Sequence, residues 1–263
     1  MTPPVLIRTE ADLERVPDLL GPDEDDEFCV SLRFDEPFIA ACCRLGYLPM
    51  AYRYRQPQKH SPQHLMLIKC HRVRQVLEFP HLHVSRSTRR RAGEYTLTVD
   101  RDLPGVLLAL EQTWENNWLI PPYQAALLSL QRTPVYGVAV HSIEVYHQGD
   151  LVAGEVGYRC GGVYTSLSGF HYRSGAGAVQ LAATAGLLER SGMVFWDLGM
   201  EAPYKTALGA QEVERREFLQ RYRSAAAATV AIPFMEMPPQ GWGCAELVAP
   251  GTASAPGPSS EPG

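Results

Sequence analysis

An acidic side chain that closes an apolar run is one place where a protein can hold a carboxylate in an unusual environment. Val194-Phe195-Trp196-Asp197 is such a run. As a strand it would put the Asp197 carboxylate at the strand end beside apolar surface, where burial raises a carboxyl pKa toward values useful for proton transfer. The same residue also fits a plainer role, capping the turn at Gly199. Glu155 is the second acid of interest. The turn Arg159-Cys160-Gly161-Gly162 pairs its flanking segments antiparallel, and counting outward sets Glu155 opposite residues 166–168, as a cross-strand neighbour of Leu167. An exposed strand glutamate is the ordinary alternative. Other candidates are weaker. His60, His64, His71, His81 and His83 lack the acids or thiols that would complete a metal site, so no metal is expected. His141 precedes an apolar run and reads as a structural histidine. Cys160 falls in a predicted turn with no third group to orient a thiol–histidine pair. There is no Walker-type loop, and Ser174-Gly175-Ala176-Gly177 is only a loose glycine cluster.

Charge gives a further lead. Residues 1–36 hold eleven acids and three bases, whereas residues 44–91 hold eleven Lys and Arg and the single acid Glu78. Such asymmetry suggests a polyanion-facing segment behind an acidic leader, although a basic stretch is often only a solvated face. The 263 residues, 45% apolar and 20% charged, are ordinary for a folded domain. No run approaches the ~18 apolar residues of a membrane helix. The N-terminus lacks the basic and apolar regions of a secretory signal. The six cysteines form no C-x-x-C pair and predict reduced, cytoplasmic thiols.

The elements that must position these groups can be read in outline. Phe28–Phe34 suggests a strand and Pro37–Gly46 a helix. His64–Ile68 and Val73–Phe79 suggest two strands joined by a basic turn. Residues 96–133 read as helical, with Asp100 or Asp102 as N-cap and a second helix opened by Pro121-Pro122. Tyr136–Tyr146, Leu151–Tyr158 and Val163–Phe170 alternate as three strands with turns at His147–Asp150 and Arg159–Gly162. Ala178–Glu189 is an apolar helix stopped at Gly192, Met193–Leu198 a buried strand and Glu212–Tyr222 a closing helix. The order is α+β with a mostly antiparallel sheet. The expected divisions are a weakly ordered acidic leader (1–27), a small N-terminal α/β domain with the basic patch (28–95), a larger domain (96–223) and an Ala/Pro/Gly-rich tail (224–263). The tail should be largely disordered from 251.

Three strings carry a resemblance. They are His83-Val84-Ser85-Arg86-Ser87 with Arg89-Arg90; His141-Ser142-Ile143-Glu144-Val145-Tyr146 followed by Gly149, Leu151-Val152, Gly154 and Gly157; and Asp197 closing its strand, with Leu208-Gly209-Ala210 and Arg215-Arg216 downstream. In order and spacing, over roughly residues 32–222, the chain resembles the leucyl/phenylalanyl-tRNA–protein transferases. The resemblance implies an acetyltransferase-like (GNAT-like) larger domain. It also implies an aminoacyltransferase of the N-degron pathway that moves Leu, Phe or Met from aminoacyl-tRNA to a protein or peptide beginning with Arg or Lys. No cofactor is needed, since the tRNA ester is already activated. We expect a monomer, with no membrane association.

For the site, the resemblance implies Asp197 as the catalytic carboxylate that orients or deprotonates the amine. It implies Trp118, Tyr123, Tyr164, Ser168 and Phe170 around the aminoacyl group or terminal adenine, and Arg72, Arg74, Arg86, Arg89, Arg90 and Arg91 on tRNA phosphates. Three departures stand at the site itself. Gly199 replaces the family's Gln, Leu167 replaces its Glu, and Glu155 replaces a pocket Met. Glu155 would then return the missing carboxylate from across the hairpin and bind a cationic acceptor N-terminus. A protein that keeps the fold and binds tRNA or protein N-termini without catalysis is the alternative.

Overall fold

In the computed structural model, which describes residues 4–20, 27–54, 63–115, 118–228 and 238–249, the segments with the clearest alternation form the longest strands. These are β6 (Val138–His147), β7 (Asp150–Cys160) and β8 (Val163–His171), a continuous antiparallel meander. The β6–β7 turn works because Gln148 and Gly149 both take positive φ, 54° and 93°, the twist a two-residue hairpin requires.

Two sheets are built around this meander. The small one is antiparallel, in the order β1 (Phe28–Ser31), β3 (Gln63–Lys69), β2 (Leu48–Tyr54), and carries α2 (Glu36–Arg44). It follows the short helix α1 (Val16–Leu19). The large sheet has eight strands, ordered β10 (Gln211–Glu214), β4 (Val73–Leu77), β9 (Phe195–Gly199), β8, β7, β6, β5 (Thr96–Val99), β11 (Trp242–Gly243). Every pair in it is antiparallel except β8–β9. The parallel pair follows from the crossover helix α6 (Ala176–Arg190), which separates β8 from β9.

One face of the large sheet packs against α2, α4 (Leu103–Thr113), α5 (Pro121–Arg132) and α8 (Arg215–Ala226), burying Val138, Val156, Tyr158, Phe195 and Tyr222. The other face packs on α6 and α9 (Cys244–Leu247), burying Leu97, Val145, Trp196 and Leu198. The short helices α3 (Arg86–Arg91) and α7 (Pro203–Leu208) complete the chain. No helix among the described residues is long and apolar enough to cross a membrane.

Several expectations change. The segment 96–133 is not all helix: Thr96–Val99 is a strand paired with β6, and Asp102, not Asp100, caps α4 by accepting from Gly105 N at 2.9 Å. His64–Ile68 and Val73–Phe79 do not form a hairpin, since β3 and β4 lie in different sheets. A division at residue 95 would cut the large sheet, to which β4 belongs. In the tail, Cys244, Leu247 and Val248 are buried against α6. The expected disorder from 251 lies outside the described residues, as does His60.

Candidate active site

Asp197 does not face a cavity. Along β9 successive side chains point to opposite faces, so Trp196 and Leu198 meet the α6 layer while Asp197 points to the α8 side. There it is 0% exposed and fully engaged. Arg74 Nε donates to Oδ1 at 3.2 Å and Arg74 Nη2 to Oδ2; Thr165 Oγ1 donates to Oδ2 at 3.1 Å, and Gly199 N to Oδ1 at 3.0 Å. Arg74, 1% exposed, also donates to Gly46 O and stacks over Phe218 at 4.4 Å. The structure thus places both residues in the core, away from the cavity on the other face of the sheet. Asp197 holds Arg74 and caps the Gly199 turn, and Arg74 is a core residue that cannot meet a phosphate.

A cavity of about 740 Å³ opens between β7, β8, α6, α7 and the approach to α3. Its walls include Phe170, Leu181, Leu198 and Leu208, and the polar groups Glu155, Ser166, Gln180 and Lys205. Glu155 is 3% exposed. Burial pushes its carboxyl up to about 7, against the pull of Ser166, Tyr164, Gln180 and the charge of Lys205. Trp196 Nε1 donates to Ser166 Oγ at 2.9 Å, and that hydroxyl lies 3.1 Å from both Glu155 oxygens. With the indole as donor, the Ser166 proton is free to point at the carboxylate. A buried carboxyl titrating near neutrality in an apolar cavity suits proton transfer.

The register to Leu167 also differs from the count. A bulge between Val156 and Gly157 sets Glu155 opposite Gly169, Val156 opposite Ser168 and Gly157 opposite Ser166, leaving Leu167 unpaired. Leu167, partly buried, packs against the α2–α4–α5 core and also borders the cavity. Glu155 therefore meets Ser166, not Leu167.

The remaining predicted residues divide. Ser168 and Phe170 line the cavity. Tyr164 is fully buried and does not line it, though its hydroxyl is near enough to depress the Glu155 pKa. Trp118 and Tyr123 do not join it: they pack edge to face at 5.3 Å in the opposite core, with Tyr123 Oη bonded to Pro49 O at 2.8 Å. Arg86, Arg89, Arg90 and Arg91 are exposed on α3, whose Thr88 borders the cavity, but Arg89 Nη1 is committed to Val248 O. Arg72 is exposed before β4. Cys160 is buried, which pushes its thiol up and away from nucleophilic use. His141 Nδ1 pairs with Asp100 Oδ2 at 2.6 Å. Its motif partner Glu144 is buried and accepts from Ser142 Oγ, Thr98 Oγ1 and Asp102 N, so this string is scaffold joining β5, β6 and α4.

Sequence reasoning missed Lys205, Gln180 and the partner of Asp197. Only the last left a trace: a lone Arg inside Val73-Arg74-Gln75-Val76-Leu77 calls for a buried counter-charge.

Residues 76–223 match the family model described as leucyl/phenylalanyl-tRNA protein transferase. The leucyl/phenylalanyl-tRNA–protein transferase of Rubrobacter xylanophilus is 31% identical over 197 residues, covering 74% of this chain and 96% of that protein. Its counterparts in Ruegeria pomeroyi and Paracoccus denitrificans are 33% and 32% identical, covering 61% of this chain and 75% and 73% of theirs. The chain belongs to the leucyl/phenylalanyl-tRNA–protein transferase family.

Proposed function

We propose that the chain carries out the transfer its family membership implies, moving Leu, Phe or Met from aminoacyl-tRNA to the α-amine of a protein, with Glu155 as the proton acceptor. The observation that carries this reading is the Glu155 carboxyl, buried in the cavity wall, braced by Ser166 and titrating at about 7. The amine nitrogen adds to the ester carbonyl carbon and gives a proton to Glu155. The bond to the ribose oxygen then breaks, and Glu155 returns the proton to that oxygen. Holding ester and amine together in a largely apolar cavity supplies much of the acceleration. Phe170 and Ser168 would border the aminoacyl group, while Arg86, Arg90 and Arg91 would take acceptor-stem phosphates.

Further parts of the reading are also proposals. The acceptor begins with Arg or Lys, in keeping with a carboxylate at the cavity. The protein acts as a monomer in the cytoplasm, where its buried thiols stay reduced. The parallel β8–β9 pair beneath α6 is in keeping with an acetyltransferase-like larger domain. Incubation with tRNA charged with Leu, Phe or Met and a panel of N-terminal peptides, read by mass, tests the reading. The expected result is one added residue on peptides beginning with Arg or Lys. Bound tRNA with no mass gain on any peptide would favour a module that only binds.

A further inference from the structure

Acyl transfer needs a donor for the oxygen that becomes negative as the tetrahedral centre forms. Lys205 lines the same cavity as Glu155, carried there by α7. Its Nζ donates to Leu198 O at 2.7 Å and Met200 O at 2.6 Å, the carbonyls on either side of Gly199. These contacts fix the ammonium at the end of β9, at the position where the family pattern loses its Gln. An ammonium has three N–H groups, and among the described residues no third acceptor takes the last one. No ion pair joins Lys205 to Glu155 among the described residues; burial lowers the Lys205 pKa and raises that of Glu155, while each charge favours the charged form of the other across the cavity. Both groups line the same cavity of about 740 Å³, which has volume enough for a reacting carbonyl. Gln180, the neighbouring polar group, is neutral and already bonded to Thr184 Oγ1 at 3.2 Å.

We propose that Lys205 is the oxyanion donor of the transfer reaction, an inference that rests on the reading of the cavity as the transferase site. As the amine adds, the C–N bond forms, the carbonyl π electrons move to oxygen, and Lys205 Nζ–H donates to that oxygen. On collapse the electrons return, the ribose C–O bond breaks, and the proton held by Glu155 goes to the departing oxygen. Lys205 keeps its protons throughout.

Two measurements test this. Lys205→Met, which retains an apolar stem and no donor, should lower kcat by about 10²–10³-fold while KM for charged tRNA changes little. Separately, affinities are measured for two non-reacting probes, a phosphonate and an amide analogue of the aminoacyl-adenosine ester. The phosphonate bears its anionic oxygen where the oxyanion forms. Lys205→Met should weaken the phosphonate at least about tenfold and the amide much less. Should the Met variant not fold, Lys205→Gln, which can still donate to a turn carbonyl but is shorter and carries no charge, should likewise weaken the phosphonate more than the amide, by a smaller factor. Equal effects on both probes, or undiminished kcat in a folded variant, would overturn the assignment and leave Lys205 as a turn clamp. If the wild type transfers nothing, the transferase reading fails, yet the two probes still decide whether Lys205 meets an anion.

Discussion

Arg74 grips both carboxylate oxygens of Asp197 on the face of the sheet turned away from the Glu155 cavity. The pair joins β4 to β9, and through Thr165 and Gly46 it reaches β8 and the turn after α2. Asp197→Asn should therefore act on stability. Removing one partner of a buried pair strands the other charge, at a cost of about 3–5 kcal/mol. Chemical denaturation should register that loss, while activity per folded molecule stays within a few-fold of wild type. A stable variant with abolished turnover would return Asp197 to the reaction.

Glu155 should behave in the opposite way. Glu155→Gln is expected to reduce kcat/KM by about 10²–10⁴-fold, the usual span for a lost general base. In the wild type, only the ionised carboxylate accepts a proton, so kcat/KM should rise with pH through about 7. The variant should lack that limb.

The same residue makes a prediction about folding. Its folded-state pKa lies above the ordinary 4.5, so the native state binds a proton that the unfolded chain has released between pH 4.5 and 7. Wild-type stability should fall as pH rises across that window. Glu155→Gln removes the penalty and should be more stable at pH 8 by on the order of 3 kcal/mol, with the gain vanishing below pH 4.5. Unfolding curves of the two proteins at both pH values provide the check.

All four arginines of α3 are exposed, but Arg89 Nη1 is also tied to Val248 O and Arg91 Nη1 lies against Gly175, where a Cβ would meet it, so Arg86 and Arg90 are the pair to replace. Replacing Arg86 and Arg90 together by Ala should weaken tRNA binding and lower the salt-dependence slope by about 1–2. Small aminoacyl-nucleoside donors should be used as before. A titration of binding against salt separates this from a solvated face.

Gly199→Gln would restore the family's side chain, but Gly199 has φ of 77°, and Lys205 holds the carbonyls on either side. There is space for a Cβ, the nearest atom being Leu48 Cδ1 at 3.6 Å, so the obstacle is the backbone. The variant should lose about 1–3 kcal/mol of stability, measurable by denaturation.

Much of this could be read from the residues. The β6–β7–β8 meander was legible because alternation and glycine turns are local signals. Thr96–Val99 merged with the helical pattern that follows because it becomes a strand only by pairing with β6. Asp197 and Glu155 show where local reading stops. One residue of parity along β9 decides which layer Asp197 meets, and one bulge in β7–β8 decides what Glu155 faces. The C-terminal segment was hidden by its Pro- and Gly-rich surroundings, though Trp242, Cys244, Leu247 and Val248 suffice to seal the α6 layer.

The strand order bears on how the chain matures as it is synthesised. β4 leaves the ribosome early, yet both its neighbours, β9 and β10, are translated more than a hundred residues later. Until then its two edges have no partners, and Arg74 waits without Asp197. The β6–β7–β8 meander can close on its own by neighbouring turns, but the sheet cannot extend to β4 until synthesis has passed β9 at Gly199, and the outer edge of β4 stays open until Glu214. Pairings so distant in sequence fold slowly, because a long loop must close before any contact rewards it. The nascent β4 is thus an exposed strand for the longest part of translation, and the segment whose shielding by a chaperone would matter most to yield.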